Sequence, residues 1–208
     1  MANQIRQRLP EHERQEQILQ AATRVGAKLG LINLTLRNVA EEAGVSHALV
    51  VHHFQTKQGM HLALLRFITA SLLNLPEMPD TASPLSEQLL LLVKGQLEQL
   101  RDKSDLVGLF LEFRVLTRAE PALGEEVRRN MELIFEIYEP LSMALVADNP
   151  ERFAGVTGRS LSRTIANTII GYEISLLIHP RSTRESDVIE TLAVLLGVEN
   201  RALATTLS

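Results

Sequence analysis

Cysteine and tryptophan are absent from the 208 residues of this sequence, and aromatic residues make up only 4% of it. Without cysteine the chain can form no disulfide, no thiolate metal site and no thiol redox switch. This absence fits the reducing cytoplasm, where we expect the protein to act. With 45% hydrophobic and 22% charged residues, the composition is that of an ordinary globular protein.

Long hydrophobic stretches are missing as well. Apolar runs such as 89–93 and 174–178 are far shorter than the roughly 20 residues that cross a bilayer. The N-terminal segment MANQIRQRLP has no apolar core of a signal peptide. We therefore expect no export and no membrane as a partner.

The motifs of common catalytic and metal sites are also absent. The sequence has no H-E-x-x-H, no G-x-x-x-x-G-K-[ST] and no G-x-S-x-G. Three histidines lie at positions 47, 52 and 53, but no carboxylate lies at ligand spacing in the same predicted helix. The paired carboxylates at 41–42 and 125–126 are better explained as solvated helix faces. We expect no metal, no cofactor and no enzymatic activity; an all-α enzyme is the alternative.

The charge is divided unevenly along the chain. Residues 1–70 contain eight Lys/Arg and five Asp/Glu, whereas residues 71–208 contain thirteen and twenty. Five of the six histidines also lie in the first segment. This basic N-terminal third indicates where a polyanion would bind, although an excess of this size also arises by chance.

Apolar residues recur at three- and four-residue spacing along nearly the whole chain, which is the pattern of amphipathic helices. In the first helix they are Ile18, Ala21, Ala22, Val25 and Leu29, and Gly30 ends it. No alternating strand pattern with hairpin turns occurs, so we predict an all-α fold. The further predicted helices are 35–44, 46–54, 57–75, 85–103, 105–118, 121–147, 150–178 and 186–197, with a proline-containing loop at 76–84. Pro121 and Pro150 are predicted to lie in the first turns of their helices.

The segment 35–54, TLRNVAEEAGVSHALVVHHF, has the spacing of a helix-turn-helix motif. Gly44 supplies the positive φ that a tight turn between two crossed helices needs. Thr35 and Ser46 are placed to cap the helices that follow them. In the second helix Val50 and Phe54 lie four residues apart and are predicted to point inward.

The outer face of that second helix carries His47, Ala48, Val51 and His52. Such a short, uncharged face can enter the major groove, because Ala and Val contact thymine methyl groups and His donates to purine acceptors. A plain solvated helix is the alternative, but it does not explain Val51 at an exposed position. The segment therefore predicts binding to double-stranded DNA.

Over about residues 14–65 the sequence resembles the TetR-type transcriptional regulators. Their signature is a helix followed by T-x-x-x-I-A-x-x-A-G-V-S-x-x-x-h-Y-x-H/Y-F-x-x-K-x-x-L, where h is apolar. The matching positions here are Thr35, Val39, Ala40, Ala43, Gly44, Val45, Ser46, Val50, His53, Phe54, Lys57 and Met60. The resemblance implies a three-helix DNA-binding head, residues 1–60, and a helical body for ligand binding and dimerisation, residues 61–208.

The resemblance also implies roles for individual residues. The implied backbone-phosphate ligands are Thr35, Arg37, Ser46, His53 and Lys57, with a solvated arginine as the alternative for Arg37. The four outer-face residues of the second helix would face the bases. Two positions depart from the signature. Val51 replaces a tyrosine that gives its hydroxyl to phosphate, and Gly59 is expected to weaken its helix by up to about 1 kcal/mol relative to alanine.

In the body, a few polar side chains interrupt apolar stretches, as in LFLEFRVL at 109–116, which contains Glu112 and Arg114. TetR-type proteins hold their ligand among the helices of this region, and a few polar groups in an apolar cavity are typical of a small-molecule site. The candidate ligand-binding residues are Phe110, Arg114, Tyr138 and Tyr172; core and surface positions are the alternative.

Residues 164–178 are apolar nearly all round their helix, and the last helix is rich in Val, Ile and Leu. A helix that is hydrophobic on every side must be covered on every side. The resemblance implies that two helices from each subunit form a four-helix homodimer interface; a deep monomeric core is the alternative. The resulting expectation is a repressor released from an inverted-repeat operator by a small, largely apolar effector. An activator, or a DNA-binding regulator without a ligand, is the alternative.

Overall fold

The computed structural model describes residues 10–73 and 82–198, and every regular element in those ranges is helical. The predicted all-α fold is confirmed. The α-helices are α1 (Glu11–Leu29), α2 (Leu36–Ala43), α3 (His47–Phe54), α4 (Lys57–Leu72), α5 (Leu85–Asp102), α6 (Ser104–Leu116), α7 (Pro121–Asp148), α8 (Gly158–Ile178) and α9 (Glu185–Leu196). A short 3-10 helix, η1 (Leu31–Asn33), which the sequence pattern does not predict, lies between α1 and α2.

The described residues fall into two compact units. The first contains the chain up to Thr69 together with Gly108–Glu126, and the second contains Ala70–Val107 and the chain from Val127 onward. The first unit is therefore larger than the predicted head, because it includes most of α4 and α6. A functional boundary at residue 60 stays a prediction. The predicted loop at 76–84 lies mostly outside the described residues, and Pro84 is the N-cap of α5.

In the first unit, α1 packs on α2 and α2 packs on α3. The predicted inner stripe of α1 is buried at Ile18, Ala21, Ala22 and Val25. Leu29 is an exception, since it is 44% exposed at the last position of the helix. Gly30 ends α1 with a φ of 76°, as expected for a residue without a Cβ.

In the second unit, α5 packs against α8 and α9, while α7 and α8 cross at short range. A Cβ on Gly158 would lie 2.5 Å from the Cα of Met143, so only glycine permits this approach. One turn later, the Ser162 hydroxyl donates to the Phe135 carbonyl oxygen at 2.6 Å. The crossing therefore depends on small residues at the start of α8.

The prediction of one helix over 150–178 is wrong. A turn that contains Gly155 at φ 79° follows α7, and Thr157 caps α8. The Thr157 hydroxyl accepts from the Ser160 N–H at 3.1 Å, and the Ser160 hydroxyl accepts from the Thr157 N–H at 3.0 Å. This reciprocal cap fixes the start of α8 at Gly158, eight residues after the predicted Pro150. Pro121 does open α7, as predicted.

The predicted solvated face at 125–126 is also wrong for one of its two carboxylates. Glu126 is only 7% exposed, and Glu125 is exposed. The Glu126 carboxylate accepts from Arg66 Nη2 at 2.9 Å and from Arg66 Nε at 3.1 Å. The ion pair explains how this charge is tolerated at a buried position. Among the described residues, no helix is both long enough and apolar enough to cross a membrane.

Candidate nucleic-acid interface

The turn between α2 and α3 has the geometry that the motif predicts. Gly44 lies in the left-handed region at φ 66° and ψ 32°. Its N–H donates to the Glu41 carbonyl at 3.2 Å, and the Val45 N–H donates to the Ala40 carbonyl at 3.0 Å. These bonds close the end of α2 and turn the chain directly into α3. The Gln17 amide of α1 adds a bond to the Ala43 carbonyl at 3.2 Å, which ties α1 to the turn.

The N-terminus of α2 is held by a reciprocal cap. The Thr35 hydroxyl accepts from the Asn38 N–H at 3.2 Å, and the Asn38 side chain accepts from the Thr35 N–H at 2.9 Å. The hydroxyl hydrogen of Thr35 is not used in this cap, and Thr35 is exposed. An exposed hydroxyl at a helix N-terminus is suited to bind an anion. The sequence pattern missed Asn38, because such caps usually carry Glu or Gln at this position.

Helix α3 has one buried and one exposed face. Val50 is fully buried and Phe54 is 5% exposed, so the predicted inward pair is confirmed. On the opposite side His47, Ala48 and His52 are exposed, and Val51 is half-buried at their edge. Ser46 caps the helix by accepting from the Leu49 N–H at 3.2 Å. The exposed face carries no Lys or Arg, so any hydrogen bonds that it donates come from histidine.

The junction between α3 and α4 is unusually tight. Gln55 adopts φ 60° and ψ −51°, and the Thr56 N–H donates to the Phe54 carbonyl at 2.6 Å, which makes a γ-turn. The Thr56 hydroxyl then accepts from the Gly59 N–H at 3.0 Å and caps α4. A Cβ on Gly59 would collide with the Phe54 carbonyl oxygen. The expectation that Gly59 weakens α4 is therefore wrong, because the fold has no room for alanine there.

The remaining predicted phosphate ligands differ in their present contacts. The Lys57 ammonium donates to the Ile32 carbonyl at 2.7 Å, which leaves two of its hydrogens for other acceptors. Arg37 lies 3.6 Å from Glu41 in an ion pair that is well exposed on both sides. His53 is half-buried, with its ring edge-on to His52 at 5.5 Å between centroids.

Residues 18–64 match the family model described as bacterial regulatory proteins, tetR family. Over these residues the chain is similar to the TetR-type transcriptional regulators. It is 25% identical over 181 residues to the HTH-type transcriptional regulator BetI of Klebsiella pneumoniae, covering 77% of this chain and 92% of that protein.

Several solved structures of transcriptional regulators share the fold of this chain. A transcriptional regulator from Rhodococcus sp. Rha1 superposes with a TM-score of 0.71 at 22% identity, covering 88% of this chain and 94% of that one. A TetR regulator from Haloarcula marismortui gives 0.71 at 20% identity, covering 93% and 98%. A regulator from Saccharomonospora viridis, solved in complex with choline, gives 0.71 at 21% identity, covering 91% and 98%.

The candidate ligand-binding residues are divided between the two units. In the first, the Arg114 guanidinium lies over the Phe110 ring, 4.8 Å from its centroid, and Phe110 is buried. In the second, Tyr138 is 1% exposed, and burial together with the charge of Glu173 raises its pKa. These positions are compatible with a ligand site and with a plain core, so the assignment stays a prediction.

Tyr172, the fourth candidate, is already engaged within its own unit. Its hydroxyl accepts a long hydrogen bond of 3.5 Å from Arg101 Nη2, and the same Nη2 lies 2.7 Å from Glu185 Oε2. Burial raises the pKa of Tyr172, while the bond from Arg101 lowers it. The Arg101–Glu185 pair, which sequence reasoning missed, is therefore part of the surroundings of any ligand that reaches Tyr172.

Proposed function

We propose that this chain is a TetR-type regulator, a homodimeric repressor that binds an inverted repeat and is released from it by a small molecule. The observation that carries the DNA-binding part is the two-sided helix α3, buried at Val50 and Phe54 and exposed along its other face. A helix anchored in this way, with its exposed face free of bulky side chains, can enter the major groove.

The proposed contacts are those that the family resemblance implies. The residues that face the bases are His47, Ala48, Val51 and His52. The residues that hold phosphates are Thr35, Arg37, Ser46, His53 and Lys57. The caps at Thr35 and Ser46 support this division, because both put a hydroxyl at an exposed helix N-terminus. Phosphate contacts position the head, and the base contacts set its sequence preference.

Homodimerisation is supported by apolar side chains that the folded chain leaves uncovered. On α8, Ile174 and Leu177 are 43% and 44% exposed and Ile178 is 63% exposed. On α9, Val194 is 69% exposed and Leu195 is 61% exposed. Exposed apolar clusters of this kind mark interaction surfaces. A second copy that buries the same helices would form the isologous four-helix interface that the family resemblance implies.

The effector is proposed to be small and largely apolar, with one polar or charged end. The helices of the body bury mainly Leu, Ile, Phe and Tyr, so a cavity that opens among them would have mostly apolar walls. The structural relative from Saccharomonospora viridis, solved with choline, shows that this fold accommodates a small molecule in that protein. Release follows if the effector favours the conformer whose two heads no longer match the half-sites.

A selection and footprinting experiment tests the proposal. Wild-type protein would select duplexes from a randomised pool, and cleavage protection on the selected DNA would then be measured. We expect two protected half-sites related by a dyad, with centres about 34–36 Å apart or a multiple of that spacing. A single unpaired site would contradict the homodimer, and no enrichment at all would contradict sequence-specific binding. Transcription from a promoter that carries the selected site then distinguishes repression from activation.

A further inference from the structure

The three residues of η1 are held by side chains from three different helices. The Leu31 N–H donates to Glu112 Oε2 of α6 at 2.7 Å. The Ile32 carbonyl accepts from Lys57 of α4 at 2.7 Å, and the Asn33 carbonyl accepts from Asn38 of α2 at 2.9 Å. Each residue of this short segment therefore has its own anchor.

The position of η1 in the chain makes these anchors important for DNA binding. Only Leu34 separates η1 from Thr35, the cap of α2 and a proposed phosphate ligand. Leu31 and Leu34 are fully buried, so the side chains at both ends of this segment pack in the core. A displacement of η1 would be passed to Thr35, because the Asn38 side chain bonds both the Asn33 carbonyl and the Thr35 N–H.

Glu112 is the anchor that lies farthest away in sequence, 81 residues from Leu31. It reaches η1 because α6 lies close against the end of α1. A Cβ on Gly26 would lie 2.9 Å from Leu109 of α6, and a Cβ on Gly30 would lie 3.4 Å from the Glu112 carboxylate. The two glycines, one in the last turn of α1 and one directly after it, leave the space that α6 and its carboxylate occupy.

We propose that Glu112 is a positioning residue for DNA binding: its carboxylate fixes η1 and thereby places the Thr35 hydroxyl against a backbone phosphate. The inference rests on the proposed DNA-binding function and adds a determinant that lies outside the helix-turn-helix. Glu112 does not touch DNA in this account. It acts through one charge-assisted hydrogen bond, which is stronger than a bond between neutral groups.

The sign of the effect separates this role from simple electrostatics. Removing a carboxylate from a DNA-binding unit removes repulsion from the phosphates, so electrostatics alone predicts tighter binding. Removing the anchor of η1 predicts weaker binding. A loss of affinity in Glu112→Ala therefore cannot be a charge effect.

The experiment measures the affinity of the full chain for a random-sequence duplex of about 30 base pairs, long enough for sequence-independent phosphate contacts. Glu112→Ala should bind about tenfold more weakly, equivalent to about 1.4 kcal/mol. Glu112→Gln should recover most of the affinity, because its amide oxygen can accept from the same Leu31 N–H. Glu13→Ala, which removes an exposed carboxylate from α1 of the same unit, should bind at least as tightly as wild type.

A double-mutant cycle with Thr35→Ala tests whether Glu112 affects DNA binding through Thr35. If Glu112 acts through Thr35, the double variant should bind no more weakly than Thr35→Ala alone. Losses that multiply, or a Glu112→Ala protein that binds like wild type, would overturn the inference.

Thermal unfolding of each variant shows which are folded. Should Glu112→Ala fail to fold, Glu112→Asp replaces it, since the shorter carboxylate keeps the charge but displaces η1. A wild-type chain that does not bind the duplex would instead contradict the proposed function.

Discussion

Gly59 lies so close to the carbonyl oxygen of Phe54 that no side chain can be added to it. The γ-turn at Gln55 and the cap from Thr56 hold this contact in place. Helix α4 can therefore begin directly after α3 only because position 59 has no Cβ. The two proposed phosphate ligands at this junction, His53 and Lys57, depend on the same close approach.

Gly59→Ala should lower stability even though alanine is the better helix former. The clash is with backbone, so the junction must shift, and we expect a loss of about 1–3 kcal/mol, as for other overpacked sites. Thermal unfolding measures it. Gly124→Ala is the matched control, because a Cβ there would be at an ordinary 3.6 Å from its nearest neighbour. That variant should gain up to about 1 kcal/mol. Equal stabilisation of both variants would contradict the contact described for Gly59.

A second prediction concerns the proposed dimer interface. Leu195→Glu should produce a folded monomer in sedimentation experiments, because Leu195 is 61% exposed in the single chain and its charge would be buried only in the dimer. Leu192→Glu is the contrasting variant, since Leu192 is 5% exposed and its charge would be buried within the folded chain itself. We expect that variant to unfold. A Leu195→Glu protein that stays dimeric would exclude this face as the interface.

The contrast between Leu192 and Leu195 shows which feature of α9 the sequence alone does not predict. Periodicity predicts that α9 is apolar nearly all round, but it cannot separate the positions that face the chain's own core from those that face a partner. The Thr35 and Ser46 caps could be predicted, because capping is local. The Thr157 cap was missed, because Pro150 also satisfies the local rules for a helix start.

Other failures come from contacts that no local pattern encodes. Glu126 is buried because Arg66, 60 residues earlier, pairs with it. Gly59 is required because the tight turn at Gln55 brings the Phe54 carbonyl against it. The anchor from Glu112 to Leu31 joins residues 81 positions apart. A lone carboxylate in the apolar run at 109–116 is a signal that such a partner exists, but it does not say which residue the partner is.

A third prediction concerns pH. Burial lowers the pKa of His61 from its ordinary value of 6.5, and the nearby charge of Lys57 lowers it further. The Glu120 carboxylate, 3.2 Å away, and a hydrogen bond with the Leu31 backbone raise the pKa but do not cancel the effect of burial. The folded state therefore binds fewer protons than the unfolded state just below that value. Stability contributed by neutral His61 is complete above about pH 6.5 and falls as the pH drops toward the lowered pKa.

Thermal unfolding of wild type and His61→Gln across this range measures the effect. The pH dependence below about 6.5 should be smaller in His61→Gln, because the variant has no imidazole to protonate at this position. His12→Gln, which changes an exposed histidine of the same unit, should keep the wild-type dependence. Identical curves for wild type and His61→Gln would rule out this contribution.

The last prediction separates the two kinds of DNA contact. Lys57→Ala should weaken binding to a selected operator and to a random duplex by similar factors, and should reduce the slope of log affinity against log salt by about one. Its loss should exceed that of an ordinary phosphate contact, because the Lys57 ammonium also holds the Ile32 carbonyl. Lys28→Ala removes the same charge from an exposed position of α1 and controls for long-range electrostatics.

His52→Ala should behave differently, because His52 lies on the exposed face of α3 and is proposed to contact a base. It should leave binding to a random duplex almost unchanged and relax the preference at one base pair of each half-site, by about 1–3 kcal/mol for a well-formed contact. Competition between the selected operator and single-base-pair variants of it measures that preference directly. If His52→Ala and Lys57→Ala lowered affinity for every duplex by the same factor, the proposed division of α3 and the start of α4 into base-reading and phosphate-binding residues would have to be abandoned.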